Sequence, residues 1–135
     1  MSDHAALLFA NEAFYHAFRS RDPAAMERVW AARPSVTCIH PGWRVLHSRE
    51  EVMASWQGIL GNPEAPPIVC REARAHVHDS FGLVLCYEVI GESVLAATNA
   101  FLREGRDWRM IHHQAGPCEL TPAQLAAPAD PGPMQ

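Results

Sequence analysis

Glu88 has the clearest potential for chemistry in this sequence. It lies in the segment LCYEVI, residues 85–90, where every neighbour is apolar. An apolar setting disfavours the charged form of a carboxyl group and raises its pKa, so Glu88 could act as a general acid or base. Two structural interpretations stay open. Glu88 could form an ion pair with Arg71 or Arg74 on the neighbouring strand, or face outward where two copies of the chain meet.

His112 and His113 are a second candidate for acid–base chemistry, because an imidazole titrates near neutral pH. The segment around them is predicted to be a strand, in which successive side chains point to opposite faces. His112 would then share a face with Met110 and Gln114, and His113 would share the other face with Ile111 and Ala115. Only one of the two can face the interior, and either could instead be a hydrogen-bonded structural histidine.

Asn99 is an amide within the otherwise apolar segment VLAATNAFL, residues 94–102. Burying an amide costs free energy unless its polar atoms form hydrogen bonds. Asn99 could therefore orient a carbonyl group of a ligand. Alternatively, it could be satisfied within a polar cluster that includes His112 or His113.

Metal and thiol chemistry have weaker support. His76 and His78 share one face of a predicted strand, and Cys38 and His40 have the same spacing. Neither pair is tied to a third ligand, whereas metal sites need three or four ligands, so we expect no metal. The four cysteines show no C-x-x-C spacing and are expected to be reduced, and no feature predicts that Cys38 or Cys86 is an activated nucleophile.

Composition predicts one water-soluble domain. The chain has 135 residues, of which 48% are hydrophobic, and its formal net charge is −4. All eleven basic residues are arginines and they form no stripe, so nucleic acid is not an expected partner. No apolar run approaches the roughly 20 residues that cross a bilayer, and the N-terminus lacks a basic leader. We therefore expect a cytoplasmic protein without a membrane partner.

Three helices are predicted before the main sheet. Apolar residues recur at spacings of three and four over residues 4–19, again over 23–30, and again over 49–60. The predicted N-caps are Asp3, Asp22 and Ser48, and Ser48 with Glu51 forms a capping-box pattern. Residues 35–40, between the second and third helices, are predicted to form a short strand because they are rich in β-branched side chains.

Four longer strands are predicted in the second half, over residues 68–78, 83–90, 93–103 and 108–115. Short turns join them, which is typical of an antiparallel meander. The two middle strands are apolar on both faces, so both faces of the sheet need cover. The helices can cover one face, and a second copy of the chain is the expected cover for the other. We therefore predict a homodimer through the sheet.

This order of elements resembles the SnoaL-like branch of the nuclear transport factor 2-like superfamily. Local similarity lies in residues 25–30, 36–43 and 49–56, and in the closing strand pair at residues 97–101 and 108–117. The resemblance implies an α+β, cone-shaped fold in which three helices pack in a strongly curved antiparallel sheet. One domain over residues 1–120 is expected, followed by a Pro- and Ala-rich tail over residues 121–135.

The resemblance also implies a pocket between the sheet and the helices, suited to a small apolar or aromatic ligand. Such proteins include isomerases, cyclases and dehydratases that need no cofactor, and also non-catalytic binding and oligomerisation modules. The fold does not choose among these functions. On this resemblance Glu88 and one of His112 and His113 are the catalytic candidates, with a slight preference for His112 together with Gln114 as the inward polar pair.

Tyr15, Trp43 and Trp56 complete the expected ligand-binding set. In ketosteroid isomerases, which the chain resembles, a tyrosine stabilises an oxyanion, and Tyr15 could do the same or simply pack between helix and sheet. The two buried aspartates of those isomerases have no counterpart here, because the aspartates lie at predicted caps, turns or the tail. Trp43 is expected at the rim of the pocket, and Trp56 either in its wall or in the core.

Overall fold

The chain forms three helices and a five-stranded sheet in the order that the sequence predicts. The computed structural model describes residues 1–125, so residues 126–135, most of the predicted tail, lie outside the described residues. The elements are α1 (Asp3–Arg19), α2 (Pro23–Val29), β1 (Thr37–Ile39), α3 (Arg49–Gly61), β2 (Val69–His78), β3 (Phe81–Ile90), β4 (Ser93–Glu104), β5 (Asp107–Pro117) and a 3₁₀ turn (Pro122–Gln124).

The sheet has the strand order β1-β5-β4-β3-β2. Strands β2 to β5 form the predicted antiparallel meander, with two-residue connections after β2, β3 and β4. Glycines 91 and 105 have positive φ angles of 60° and 67° in two of these turns, where glycine has no steric penalty. The α+β class is confirmed. Strand β1 adds in parallel to β5, which makes the sheet mixed rather than purely antiparallel.

Side-chain caps start all three helices. Asp22 accepts a hydrogen bond from the Ala25 amide at 3.1 Å, and Ser48 accepts one from the Glu51 amide at 3.1 Å. The predicted cap of α1 is wrong by one residue, because Ser2 accepts from the Ala5 amide at 3.1 Å. Asp3 therefore lies in the first turn of α1, where its negative charge interacts favourably with the helix dipole.

The helices cover one face of the sheet, which we call the inner face. Successive side chains of a strand point to opposite faces, and those of Val84, Phe101 and Met110 point to the inner face. All three are fully buried against the helices. Leu7 and Phe14 of α1 complete this layer and are also fully buried. Among residues 1–125, no helix packs on the opposite, outer face. Within residues 1–125 no helix is long and apolar enough to span a membrane.

Gly82 allows the close contact between α1 and the sheet. A Cβ atom at this position would lie 2.5 Å from Cδ2 of Leu7 and 3.2 Å from Cζ3 of Trp108. Leu7 is fully buried and cannot move without disturbing its neighbours. We expect Gly82→Ala to lower the free energy of unfolding by about 1–3 kcal/mol, as overpacking does.

Urea denaturation tests this prediction. Gly58→Ala is the matched control, because a Cβ on this exposed glycine of α3 meets no atom within 4 Å. That control should gain about 0.5–1 kcal/mol, since alanine is the better helix former. Equal stabilities of the two variants would contradict the proposed close contact.

Candidate functional site

A buried polar cluster lies between α1 and the inner face of the sheet. It consists of Asn11 and Tyr15 from α1, Glu88 from β3, Asn99 from β4 and His113 from β5, and we call these five residues the polar cluster. Each is at most 2% exposed. Burying five polar side chains together is costly unless they satisfy one another, and their contacts show that they do.

A bulge in β5 decides which histidine faces inward. Asn99 pairs with His113, but the register shifts by one residue before Phe101 pairs with Met110. Met110 and His113 are therefore both inward and both buried, although strict alternation would place them on opposite faces. The extra residue in β5 explains why simple alternation along the sequence grouped Met110 with His112 rather than with His113.

The preference for His112 and Gln114 as the inward polar pair is therefore wrong. The Nδ1 atom of His112 lies 2.7 Å from the hydroxyl of Thr37 on the neighbouring strand β1. Partial burial lowers the pKa of His112. Gln114 is exposed. Neither side chain belongs to the polar cluster.

Glu88 has two close neighbours in the polar cluster. The hydroxyl of Tyr15 donates to Oε2 of Glu88 at 2.6 Å, and Nε2 of His113 lies 3.8 Å from the same oxygen. Burial raises the pKa of Glu88 to about 7, although the hydrogen bond from Tyr15 acts in the opposite direction. A carboxyl group with such a pKa can both take up and release a proton at neutral pH.

Neither structural interpretation of Glu88 matches its position. Arg71 and Arg74 occupy outer-face positions of the sheet, opposite Tyr87 and Leu85, because the bulge in β2 falls between the two arginines. Glu88 is on the inner face and is 2% exposed. It therefore lies on the face opposite to those arginines and does not face outward.

Asn99 fixes the protonation of His113. Its Nδ2 atom donates to Oδ1 of Asn11 at 2.8 Å and to the hydroxyl of Tyr15 at 3.1 Å. Its Oδ1 atom lies 2.5 Å from Nδ1 of His113. A carbonyl oxygen can only accept, so Nδ1 of His113 carries the proton and Nε2 presents a lone pair toward Glu88. Burial, with smaller contributions from His40 and His112, lowers the pKa of His113 to about 3.

Tyr15 and Asn99 lie behind the site rather than in contact with a ligand. Both are fully buried, and the hydroxyl proton of Tyr15 is donated to Glu88. Burial, and then the nearby Glu88, raises the pKa of Tyr15 well above its ordinary value. The expected ligand contacts of these two residues are therefore replaced by contacts within the polar cluster.

A cavity of about 180 Å³ adjoins the polar cluster. Its polar lining residues are His40, Glu88 and His113. The other lining residues are apolar and come from α1, α3, the loops and the strands: Phe18, Pro41, Trp43, Ile59, Ala65, Pro66, Ile68, Ile90 and Leu95. An apolar chamber with a few convergent polar groups is the usual form of a small-molecule site.

The two expected tryptophans have different positions. Trp43, beside the Pro-Gly turn, lines the cavity and is 47% exposed, so it lies at the rim. Trp56 is 1% exposed and packs against the rings of His40 and His113, at centroid distances of 4.8 and 6.0 Å. Trp56 is therefore a core residue that supports the two histidines from behind.

His40 is a site residue that sequence reasoning considered only as a possible metal ligand. Its Nε2 atom lies 2.8 Å from the hydroxyl of Ser55, which donates its proton to the Val52 carbonyl at 2.7 Å. Nε2 of His40 must therefore be the donor, and Nδ1 keeps a lone pair. Burial lowers the pKa of His40 to about 4, so this histidine is neutral at pH 7.

Asn11 was missed altogether. The signal in the sequence was its place on the buried face of α1, four residues after Leu7 and four residues before Tyr15. A polar residue within an apolar helix stripe indicates a buried hydrogen-bond partner.

The thiols and surface histidines do not form a second site. Burial, and then Glu88, raises the pKa of Cys38 to about 12, and hydrogen bonding to Cys70 together with burial raises that of Cys86. Both are therefore thiols at neutral pH rather than nucleophilic thiolates. His76 and His78 are exposed, and in the part of the chain that is described no three His, Cys, Asp or Glu side chains form a metal-binding group.

Comparison with known proteins agrees with this architecture. Residues 8–117 match the model of the SnoaL-like domain. The chain belongs to the SnoaL-like domain family. Among curated proteins no sequence matches the chain.

Two solved structures share sequence and fold with this SnoaL-like protein. One, from Streptomyces avermitilis, is named as a proposed dehydratase of the NTF2-like family; it is 29% identical over 87% of this chain and 97% of its own, with a TM-score of 0.78. Another, from Thiobacillus denitrificans, is named as a proposed calcium/calmodulin-dependent protein kinase type II association domain. It is 30% identical over 82% of this chain and 93% of its own, with a TM-score of 0.74.

The S. rosetta CaMKII hub has the same fold, with a TM-score of 0.74 over 87% of this chain and 98% of its own, at 14% identity. Proteins of this fold therefore include both a proposed dehydratase and a CaMKII hub.

Proposed function

We propose that this SnoaL-like protein binds a small uncharged molecule in the 180 Å³ cavity and catalyses proton transfer on it without a cofactor. Glu88 is the proposed general base and acid, and neutral His113 is its proposed partner. The observation that carries this proposal is their arrangement: a carboxyl group with a pKa of about 7 and the lone pair of a neutral imidazole meet at 3.8 Å beside the same cavity.

The reaction begins when ionised Glu88 removes a proton from a carbon next to a carbonyl group. The C–H bond breaks, an O–H bond forms on Glu88, and the electron pair moves into an enolate. In an isomerisation the proton returns to a different carbon. In a dehydration it joins the departing hydroxyl group, which leaves as water. Glu88 itself holds the proton between these steps, because its pKa of about 7 is well above that of His113, about 3.

The cavity favours uncharged substrates. Its polar lining is one carboxyl group and two histidines that burial keeps neutral, and no arginine is among the residues that line it. An anionic ligand would meet Glu88 without a compensating cation. A volume of about 180 Å³ is also below the roughly 300–1,000 Å³ of sites for drug-sized ligands. The proposed substrate class is therefore small ketones and hydroxyketones.

Deuterium exchange into cyclohexanone in D₂O tests the proposal directly. Cyclohexanone is small and uncharged, and its α-protons exchange only when a base removes them. We expect the protein to accelerate this exchange above the rate in buffer, as measured by mass spectrometry. Native mass spectrometry of the purified protein adds a second test, because a reproducible small adduct would identify the ligand class. Absence of both effects would favour a non-catalytic module.

A second proposed function is self-association through the outer face. Val69, Phe81 and Leu85 are 48%, 36% and 42% exposed on β2 and β3. A hollow of about 410 Å³ lies beside Leu85 and is lined by apolar and small residues together with two charged ones, Glu72 and Arg74. Exposed apolar side chains on a sheet face with a polar surround are typical of a contact surface. We propose that a second copy of the chain covers this face, giving a homodimer. The similarity to the association domain from Thiobacillus denitrificans and to the S. rosetta CaMKII hub supports this proposal.

Leu85→Glu tests the homodimer, because it places a charge in the centre of the proposed contact. We expect the wild-type protein to be a dimer by light scattering and the dimer dissociation constant of the variant to be at least about 30-fold higher, since hot-spot losses are about 2 kcal/mol or more. Val45→Glu is the control, at a residue of similar exposure outside the sheet, 38% against 42%. A monomeric wild-type protein would overturn the homodimer.

A further inference from the structure

Asn11 has no role in the proposed reaction, yet it is among the most buried polar side chains of the fold. It is 2% exposed and does not line the cavity. Its Oδ1 atom accepts from Nδ2 of Asn99 at 2.8 Å, and its own Nδ2 atom points to the sulfur of Cys70 at 3.8 Å. The strong contact is therefore the one to Asn99.

The direction of the Asn99 amide controls the state of His113. With its NH₂ group toward Asn11 and Tyr15, Asn99 presents its oxygen to Nδ1 of His113. If the amide turned by 180°, its NH₂ group would face that nitrogen instead. Nδ1 would then have to be the acceptor, and the ring proton would move to Nε2.

The state of His113 in turn affects Glu88. With a lone pair on Nε2, the ring repels the ionised carboxylate and favours its protonated form. With a proton on Nε2, the ring would donate toward Oε2 and stabilise the carboxylate, which lowers the pKa of Glu88. The proton exchange that we propose near neutral pH depends on the first arrangement.

We propose that Asn11 is a positioning residue: through Asn99 it holds His113 as the Nδ1–H tautomer, so that the lone pair of Nε2 faces Glu88. The effect of this tautomer on proton transfer by Glu88 rests on the function proposed above, whereas the position of the His113 proton can be tested without it. Tyr15 supplies the second acceptor for the Asn99 amide, at 3.1 Å, so Asn11 and Tyr15 share this task.

Nitrogen-15 NMR of the histidine rings tests the proposal without any substrate. In the wild-type protein, His113 is expected to show a protonated Nδ1 and a bare Nε2 at pH 7, and the reverse pattern would overturn the proposal. Asn11→Leu removes the acceptor while keeping an apolar side chain of similar size. One of two acceptors then remains for Asn99, so we expect both tautomers of His113 to be populated.

Two further variants distinguish positioning from packing. Asn11→Asp keeps an acceptor oxygen and should restore the single Nδ1–H tautomer. Cys70→Ala removes the other contact of Asn11 and should leave the tautomer unchanged. A single unchanged tautomer in a folded Asn11→Leu variant would refute the role of Asn11. If that variant does not fold, loss of the Nδ1–H tautomer in Asn11→Asp would refute it instead.

The exchange assay then connects the tautomer to function. Loss of one net hydrogen bond, about 0.5–1.5 kcal/mol, corresponds to a roughly two- to tenfold slower exchange in Asn11→Leu, recovered in Asn11→Asp. If wild-type protein gives no exchange but the tautomer changes as expected, the proposed function fails and the positioning role stands. If exchange occurs but the tautomer does not respond, only the positioning role fails.

Discussion

Replacing Glu88 by Gln is expected to slow deuterium exchange into cyclohexanone by a factor of about 10² to 10⁴, the usual contribution of a general base. Gln has nearly the same shape as Glu but cannot accept a proton from carbon. Its carbonyl oxygen can still accept from the hydroxyl of Tyr15, as Oε2 of Glu88 does. The hydrogen bonds of the polar cluster are therefore retained, and only the titratable group is lost.

The exchange rate is measured by mass spectrometry under equal protein concentrations, with circular dichroism to verify the fold. Glu12→Gln is the control, because Glu12 is on α1 but exposed and paired with Arg19 at 3.0 Å. That variant should exchange at the wild-type rate. A Glu88→Gln protein that exchanges as fast as the wild type would exclude Glu88 as the base, whatever its stability.

Much of the fold could be predicted from local patterns. Apolar spacing and caps identify the helices, as with Asp22 before Pro23 and Ser48 before Glu51. These patterns act within a few residues of each other, so the sequence contains all the information they require. The parallel addition of β1 to β5 is different, because Thr37 and His112 are 75 residues apart. Only the tertiary structure determines that pairing.

The candidate site was predictable in part. Glu88 stood out because a carboxyl group among apolar neighbours is rare, and the structure places it on the inner face. The inward histidine was not predictable, because the bulge beside Ile111 contains no Gly or Pro that would mark it. One extra residue reverses the faces of every later side chain in the strand. His40 and Asn11 were missed because their partners come from distant elements.

Stability is expected to depend on pH through the same buried groups, with the first contribution from Glu88. Burial raises the pKa of Glu88 from 4.5 to about 7 in the folded protein, so the folded state binds this proton more tightly than the unfolded state. The resulting stabilisation is complete below pH 4.5 and is lost as the pH rises through 7. The gap between the two pKa values corresponds to about 3 kcal/mol.

The two buried histidines act in the opposite direction. Burial lowers the pKa of His40 and His113 from 6.5 to about 4 and about 3, so the folded state binds their protons less tightly. Their contribution is complete above pH 6.5 and is lost as the pH falls toward the folded values. Between pH 4.5 and 6.5 the stability gained from two histidines as the pH rises exceeds the stability lost from one carboxyl group. Above pH 6.5 only the loss from Glu88 continues, so the wild-type protein should be most stable near pH 6.5.

Glu88→Gln separates the two contributions, because it removes the carboxyl group and leaves both histidines. The difference in free energy of unfolding, variant minus wild type, should therefore rise by about 3 kcal/mol as the pH increases from 4.5 to 8. Its stability should stay level above pH 6.5, where that of the wild type declines. Urea denaturation at intervals over this range measures both curves. Parallel curves would mean that Glu88 has an ordinary pKa, and the acid–base role proposed for it would then lose its physical basis.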